Sequence, residues 1–177
     1  MNTKNKKCIG YTTGVFDLFH IGHLNILRNA RSMCDHLIVG VTTDELVEQR
    51  KQKRPIIPFS ERVEIVQAIS FVGTAVAEDS LDKMLAWKRY RFDVVFKGSD
   101  WQGTDLWMQL EKDFAAVGVR VVYFPYTQDT SSSIIRETLR MIKSDSGSSV
   151  EAGNATSDGN VVDDGQTIEL LTKKNVA

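Results

Sequence analysis

The sequence predicts an α/β fold, a Rossmann-like doubly wound parallel sheet of about five strands with helices on both faces. Three observations predict it. Short runs rich in Val and Ile, such as His36–Thr42 and Asp93–Lys97, alternate with longer segments whose apolar residues recur at helical spacing. The strand runs lack a clean polar–apolar alternation, as expected where helices cover both faces of a parallel sheet. Four unusual segments each follow a strand: Gly14–His23, the loop after Thr42, Lys97–Asp105 and Pro125–Arg136. In such folds ligands bind beyond the C-terminal strand ends, so these segments are expected to build one site.

Taken in order, Cys8–Thr13 is a short apolar strand, and Gly22–Met33 carries Leu24, Leu27 and Ala30 at helical spacing. His36–Thr42 is a buried-strand run, followed by a short helix that Thr43 or Asp44 can cap. Ser60 opens another helix; Glu64 lies one residue too far on for a capping box. Phe71–Ala77 reads as a strand, Leu81–Tyr90 as a helix, and Asp93–Lys97 as a strand ending at Gly98. Asp105–Val117 is an amphipathic helix with Gly118 as its stop, Val119–Phe124 the last core strand, and Ser131–Lys143 a final helix. From Ser144 the chain is polar and glycine-rich, too poor in apolar residues to offset its ordering entropy. The expected organisation is a folded domain over 1–143 and a flexible tail over 144–177, with Ile168–Leu171 a short apolar patch within it.

The chain has 177 residues, two cysteines and a formal net charge of −1. That length can bury a real core in one domain. The charge leaves no basic excess to neutralise many phosphates, which argues against nucleic acid as the main partner. Two cysteines far apart read as reduced thiols. The basic N-terminus is followed by no signal-like apolar run, and no stretch approaches membrane-spanning length. A cytoplasmic location without membrane insertion is the expectation.

The most informative segment is Tyr11–His23, with Thr13-Gly14-Val15-Phe16-Asp17 leading to His20-Ile21-Gly22-His23. It reads as a strand, a glycine turn and a helix start. Histidines three residues apart share a helix face, and the helix N-terminus supplies unpaired N–H groups and partial positive charge for phosphate. Gly14 and Gly22 keep side chains away where a ligand approaches backbone. The plainer reading of a histidine here is a helix cap. A zinc site on His20 and His23 would need further ligands from His36, Cys8 and Cys34, and their spacing supports no cage, so no metal ligands are assigned. With Thr-Gly-x-Phe-Asp upstream, this segment resembles the HxGH nucleotidyltransferases, which join a nucleoside triphosphate to a phosphorylated alcohol and release pyrophosphate.

Three further elements follow strands. Gln49–Pro55 carries Arg50, Lys51, Lys53 and Arg54; a solvated loop is its ordinary reading, but its placement suits charge stabilisation on a triphosphate. Phe96–Gly103 holds Asp100 and Trp101 between glycines, a shaped loop for a flat ligand or a packing tryptophan. Thr127 to Arg136 offers Ser131, Ser132 and Ser133 at a helix start, more hydroxyls than one cap requires.

The Gly-Ser-Asp-Trp-Gln-Gly block is similar to the Gly-Asp-Asp-Trp-x-Gly block of glycerol-3-phosphate cytidylyltransferases, with Ser99 replacing the first Asp. Tyr126, Asp129, Ser70 and Gly73 depart from that family, standing where it has Arg, Gly, Arg and Asp. The resemblance spans about residues 8–142 and implies the following roles. His20, His23 and Lys53 are catalytic. Thr13, Gly14, Val15, Phe16, Gly22, Asp100, Trp101, Tyr126, Thr127, Ser131, Ser132 and Ser133 contact the nucleotide. Asp17, Lys51, Arg62 and Lys83 contact the acceptor, with Lys88 as a further cation. CTP, a small phosphoalcohol, Mg2+ carried on the phosphates and a homodimer are implied as well. With the arginine at Tyr126 lost, Arg136 or Arg54 is the expected replacement. Three alternatives stand beside this: an adenylyltransferase of the same fold using ATP, a nucleotide-binding regulator without turnover, and a scaffold acting through the tail.

Overall fold

A computed structural model describes residues 6–125, 127 and 131–147. Tyr126 and the tail beyond Gly147, including the Ile168–Leu171 patch, lie outside the described residues. The chain divides into two compact units, Met1–Met141 and Ile142–Ala177. In the second, the described residues 142–147 are the end of the last helix.

The described chain alternates strand and helix: β1 (Ile9–Gly14), α1 (Ile21–Arg31), β2 (His36–Thr42), α2 (Asp44–Lys51), α3 (Phe59–Gln67), β3 (Thr74–Glu78), α4 (Lys83–Tyr90), β4 (Val94–Gly98), a 3-10 turn (Ser99–Trp101), α5 (Asp105–Ala116), β5 (Arg120–Phe124) and α6 (Ser132–Gly147). All strand pairs are parallel, in the order β3-β2-β1-β4-β5. The order reverses between β1 and β4, so the chain leaves a crevice above their C-terminal ends.

The strands are apolar on both faces because each face has its own core. On one, Leu27 and Ala30 of α1 and Val66 of α3 pack with Leu37, Val39, Val41, Val94 and Phe96. On the other, Trp107, Leu110 and Phe114 of α5 pack with Tyr11, Ile38, Phe92 and Val95. Phe96 and Val95 are adjacent in β4 and enter opposite cores, as the pleat requires.

The predicted elements recur with shifts at their ends. Thr43 caps α2 through its hydroxyl, and Gly118 adopts φ 78° just after α5. Helix α3 begins at Phe59 behind Pro58 with no side-chain cap, so Ser60 is not its opening residue. β3 starts at Thr74 instead of Phe71. Phe71 and Val72 are apolar because they plug the first core from a turn in which Val72 N–H donates to Ile69 O at 2.8 Å.

Candidate functional site

The loop from β1 to α1 forms the centre of the crevice. Phe16 and Leu18 have φ of 55° and 49°, in the left-handed region that non-glycine residues rarely occupy. Asp17 between them is 3% exposed. Its carboxylate accepts from the backbone N–H of Ile56 (3.0 Å) and Ile57 (2.9 Å) and from Arg136, while its carbonyl accepts from Ser132 Oγ at 2.6 Å. One buried carboxylate thus ties the basic loop and the start of α6 to the end of β1. The carboxylate holds this frame while Asp17 also lines the crevice.

Arg62, expected to contact the acceptor, is instead placed away from the crevice. It is 1% exposed and does not line the crevice. Its guanidinium donates to Ile57 O at 2.9 Å, to Val15 O and to Asp44 Oδ1 at 2.6 Å. A planar, always-charged group with several donors suits such a buried junction. Lys88, on α4, is also absent from the crevice lining.

His20 and His23 sit side by side with ring centroids 4.0 Å apart. His20 is the N-cap of α1, and its Nδ1 accepts from Gly22 N–H at 3.1 Å. The plainer reading of His20 as a cap therefore holds together with its place in the crevice. An Nδ1 that accepts leaves the proton of the neutral ring on Nε2, as a donor for a ligand. Gly22 is required here, since a Cβ would come 2.8 Å from the His20 ring. His23 is edged by Phe16 and Phe19 at 5.2 and 5.5 Å, and among the described residues its buried Nδ1 has no hydrogen-bond partner. Burial first and His20 second push His23 down to about 3. Burial also lowers His20. Both rings are neutral near pH 7 and offer N–H groups instead of full charges.

These side chains open on a cavity of about 640 Å³ that also receives Thr13, Gly14, Val15, Lys51, Lys53, Lys83, Asp100, Trp101, Thr127 and Ser131–Ser133. The loops from all four strand ends thus meet as the sequence pattern required. Several hydroxyls have structural tasks as well. Ser131 Oγ caps α6 by accepting from Ile134 N–H at 3.2 Å, and Thr127 Oγ1 accepts from Asn25 Nδ2 at 3.3 Å. Lys51 is exposed, and its pKa is lowered by local burial and then by Arg50, Lys53 and Arg136. Arg54 pairs with Glu48 at 2.8 Å and Arg136 with Asp17, so both expected substitutes for the lost arginine are already engaged.

Glu78 and Thr42 carried no expected role, and Lys97 and Arg50 were expected only as parts of their segments, although all four line the cavity. Glu78, 7% exposed at the end of edge strand β3, accepts from Thr13 Oγ1, from Thr42 Oγ1 at 3.0 Å and from Lys83. Lys97 Nζ and Arg50 Cζ lie 4.7 and 4.9 Å from the Trp101 ring centroid. The available signal was a charged residue at the C-terminal end of an otherwise apolar strand, as in Asp-Val-Val-Phe-Lys and Thr-Ala-Val-Ala-Glu.

Among the described residues, no group of three or more His, Cys, Asp or Glu is placed to hold a metal ion, and no helix is long and apolar enough to cross a membrane.

The sequence profile of the family described as cytidylyltransferase-like matches residues 11–138. The glycerol-3-phosphate cytidylyltransferase of Bacillus spizizenii is 33% identical over 135 residues, 76% of this chain and 97% of that protein. The FAD synthase of Pyrococcus horikoshii is 39% identical over 119 residues, 64% of this chain and 77% of that protein. Among solved structures, a lipopolysaccharide core biosynthesis protein from Thermoplasma volcanium superposes with a TM-score of 0.59 at 24% identity, over 70% of this chain and 99% of that one. The last comparison supports the fold, and the first two show the lineage: the chain belongs to the cytidylyltransferase-like family of nucleotidyltransferases.

Proposed function

We propose that this nucleotidyltransferase joins CTP to a small phosphorylated alcohol, glycerol 3-phosphate being the first choice, and gives a CDP-alcohol and pyrophosphate. The observation that carries the reading is the pair of neutral histidines on the α1 N-terminus, opening on a basic cavity at the β1/β4 switch point. An oxygen of the acceptor phosphate attacks the α-phosphorus of the nucleotide in line. A new P–O bond forms, the α–β anhydride bond breaks, and its electron pair leaves on pyrophosphate. The attacking oxygen belongs to the acceptor, so the protein supplies position and charge stabilisation. His20 Nε2–H and His23 donate to phosphate oxygens, and Lys53 and Lys51 neutralise charge on the leaving group. Ser131–Ser133 hold the distal phosphates at the α6 N-terminus. Bound Mg2+ would neutralise charge on the nucleotide phosphates; of the carboxylates lining the cavity, Asp17 and Glu78 are engaged with protein groups, and Asp100 is the one that would help hold the ion.

The second reading, an ATP-using adenylyltransferase, draws on the 39% identity to an FAD synthase. Pyrophosphate release with CTP or ATP and a panel of phosphoalcohols separates the two. Turnover only with CTP and one phosphoalcohol supports the proposal; turnover only with ATP replaces it. A homodimer belongs to the same proposal and is read by light scattering of the full chain.

A further inference from the structure

Lys97 ends β4 at the switch point and keeps part of its surface open to the cavity. Its ammonium donates to Thr13 O at 3.3 Å and faces Trp101 and Trp107 at 4.7 and 5.8 Å from their centroids. Among the described residues no carboxylate lies within ion-pair distance of it. The nearest acids are Glu78, already taken by Thr13, Thr42 and Lys83, and Asp100, which faces solvent. Lys83 and Arg50 add like charge from α4 and α2. Burial first, and then Lys83, push the Lys97 ammonium down to about 8, so near pH 7 it is still mostly charged. Three cations converge on this partly desolvated corner, where Glu78 is committed to Lys83 and Asp100 lies beyond ion-pair distance of Lys97, an arrangement that an anion among them would favour.

That corner differs from the histidine corner. His20 and His23 belong to α1, whose helix packs on the first core, whereas Trp101 and Trp107 carry Lys97 toward the second. Reaction between two phosphates requires two anion sites beside the α-phosphorus. The helix N-termini of α1 and α6 supply one. We propose that Lys97, with Lys83 and Arg50, is the binding site for the phosphate of the acceptor. This inference rests on the transfer reaction proposed above, but the anion site itself is testable without turnover.

The test uses full-length 15N-labelled protein and follows the Trp101 indole N–H signal during titration with inorganic phosphate and with glycerol 3-phosphate. The expected result is a saturable shift in the wild type that Lys97→Met weakens at least tenfold and Lys97→Arg partly restores. CTP and ATP affinity changes less than threefold in the variant. Lys97→Met removes a charge that has no ion-pair partner, so its melting temperature is expected to be unchanged or higher; if it does not fold, Lys97→Gln takes its place. In the pyrophosphate assay the KM for the phosphoalcohol rises at least tenfold while the KM for the nucleotide stays within threefold. Wild-type affinity for phosphate in the variant overturns the proposal. So does displacement of phosphate from Trp101 by saturating nucleotide, which would assign the corner to the triphosphate. A Lys97-dependent phosphate shift that nucleotide leaves in place, in a protein silent with every acceptor, upholds the anion site and defeats the transfer reading instead.

Discussion

Two groups of charged side chains surround the same crevice and behave in opposite ways. In its wall and behind it, Asp17 pairs with Arg136 and Asp44 with Arg62, and Asp17 and Arg62 also bond backbone groups of neighbouring segments. Facing it, Lys51, Lys97 and Arg50 have no carboxylate partner within ion-pair distance among the described residues. The first group satisfies every charge and sets the loop geometry. The second leaves positive charge uncompensated and is available to an anionic ligand. Residue type does not separate them, since both contain arginine; what separates them is whether a carboxylate reaches each cation.

The largest effect that sharpens this contrast is expected at the neutral donors between the two groups. His20→Ala and His23→Ala should each lower kcat by ~10²–10³, the usual cost of deleting a preorganised donor to transition-state charge. Circular dichroism should show the fold retained. Turnover within tenfold of wild type in a folded His23→Ala protein would remove the histidines from the mechanism.

Next is the locked group. Arg62→Ala leaves Asp44 and the Val15 carbonyl without their buried donor and should cost about 3 kcal/mol. For a chain of this size that is a fall of about 6–12 °C in melting temperature. A loss in catalysis without a fall in melting temperature would return Arg62 to the substrate-binding group.

Acid should also find the histidine. The folded protein holds His23 near 3 against an ordinary 6.5, because burial penalises the charged ring. Between those values the unfolded chain binds the proton more readily. Stability is therefore full above pH 6.5 and falls as the pH drops, by up to about 1.4 kcal/mol per pH unit. Denaturant melts at pH 7, 6 and 5 read this slope, and His23→Gln should flatten it.

The smallest effect is positional. Gly22→Ala puts a Cβ 2.8 Å from the His20 ring, within a helix where Ala is otherwise favourable. Turnover should fall about tenfold, equivalent to about 1.4 kcal/mol, with little change in melting temperature. An unchanged kcat would mean that the orientation of His20 is not limiting.

Much of this was legible in the chain because the signals are local. Buried strands and amphipathic helices announce themselves through apolar periodicity, and His20-Ile21-Gly22-His23 after a strand announces a helix start with two histidines on one face. The β3 boundary was not legible, since Phe71 and Val72 fill a core from a turn and look like strand residues in isolation. The roles of Asp17 and Arg62 were not legible either. Their partners lie as far as 119 residues away in sequence for Asp17 and 47 for Arg62, and no local pattern encodes them.

By itself, then, the sequence determined the α/β class, the strand and helix order, the histidine pair and the four loops that form the site, because periodicity, glycine and helix starts are short-range properties. Only the tertiary structure decided which charges are consumed in holding the site together and which remain for a ligand. That partition depends on burial and on partners brought together by strand order: Asp17 and Arg62 became framework, while Lys97, the last charged residue of an apolar strand, was left facing the cavity.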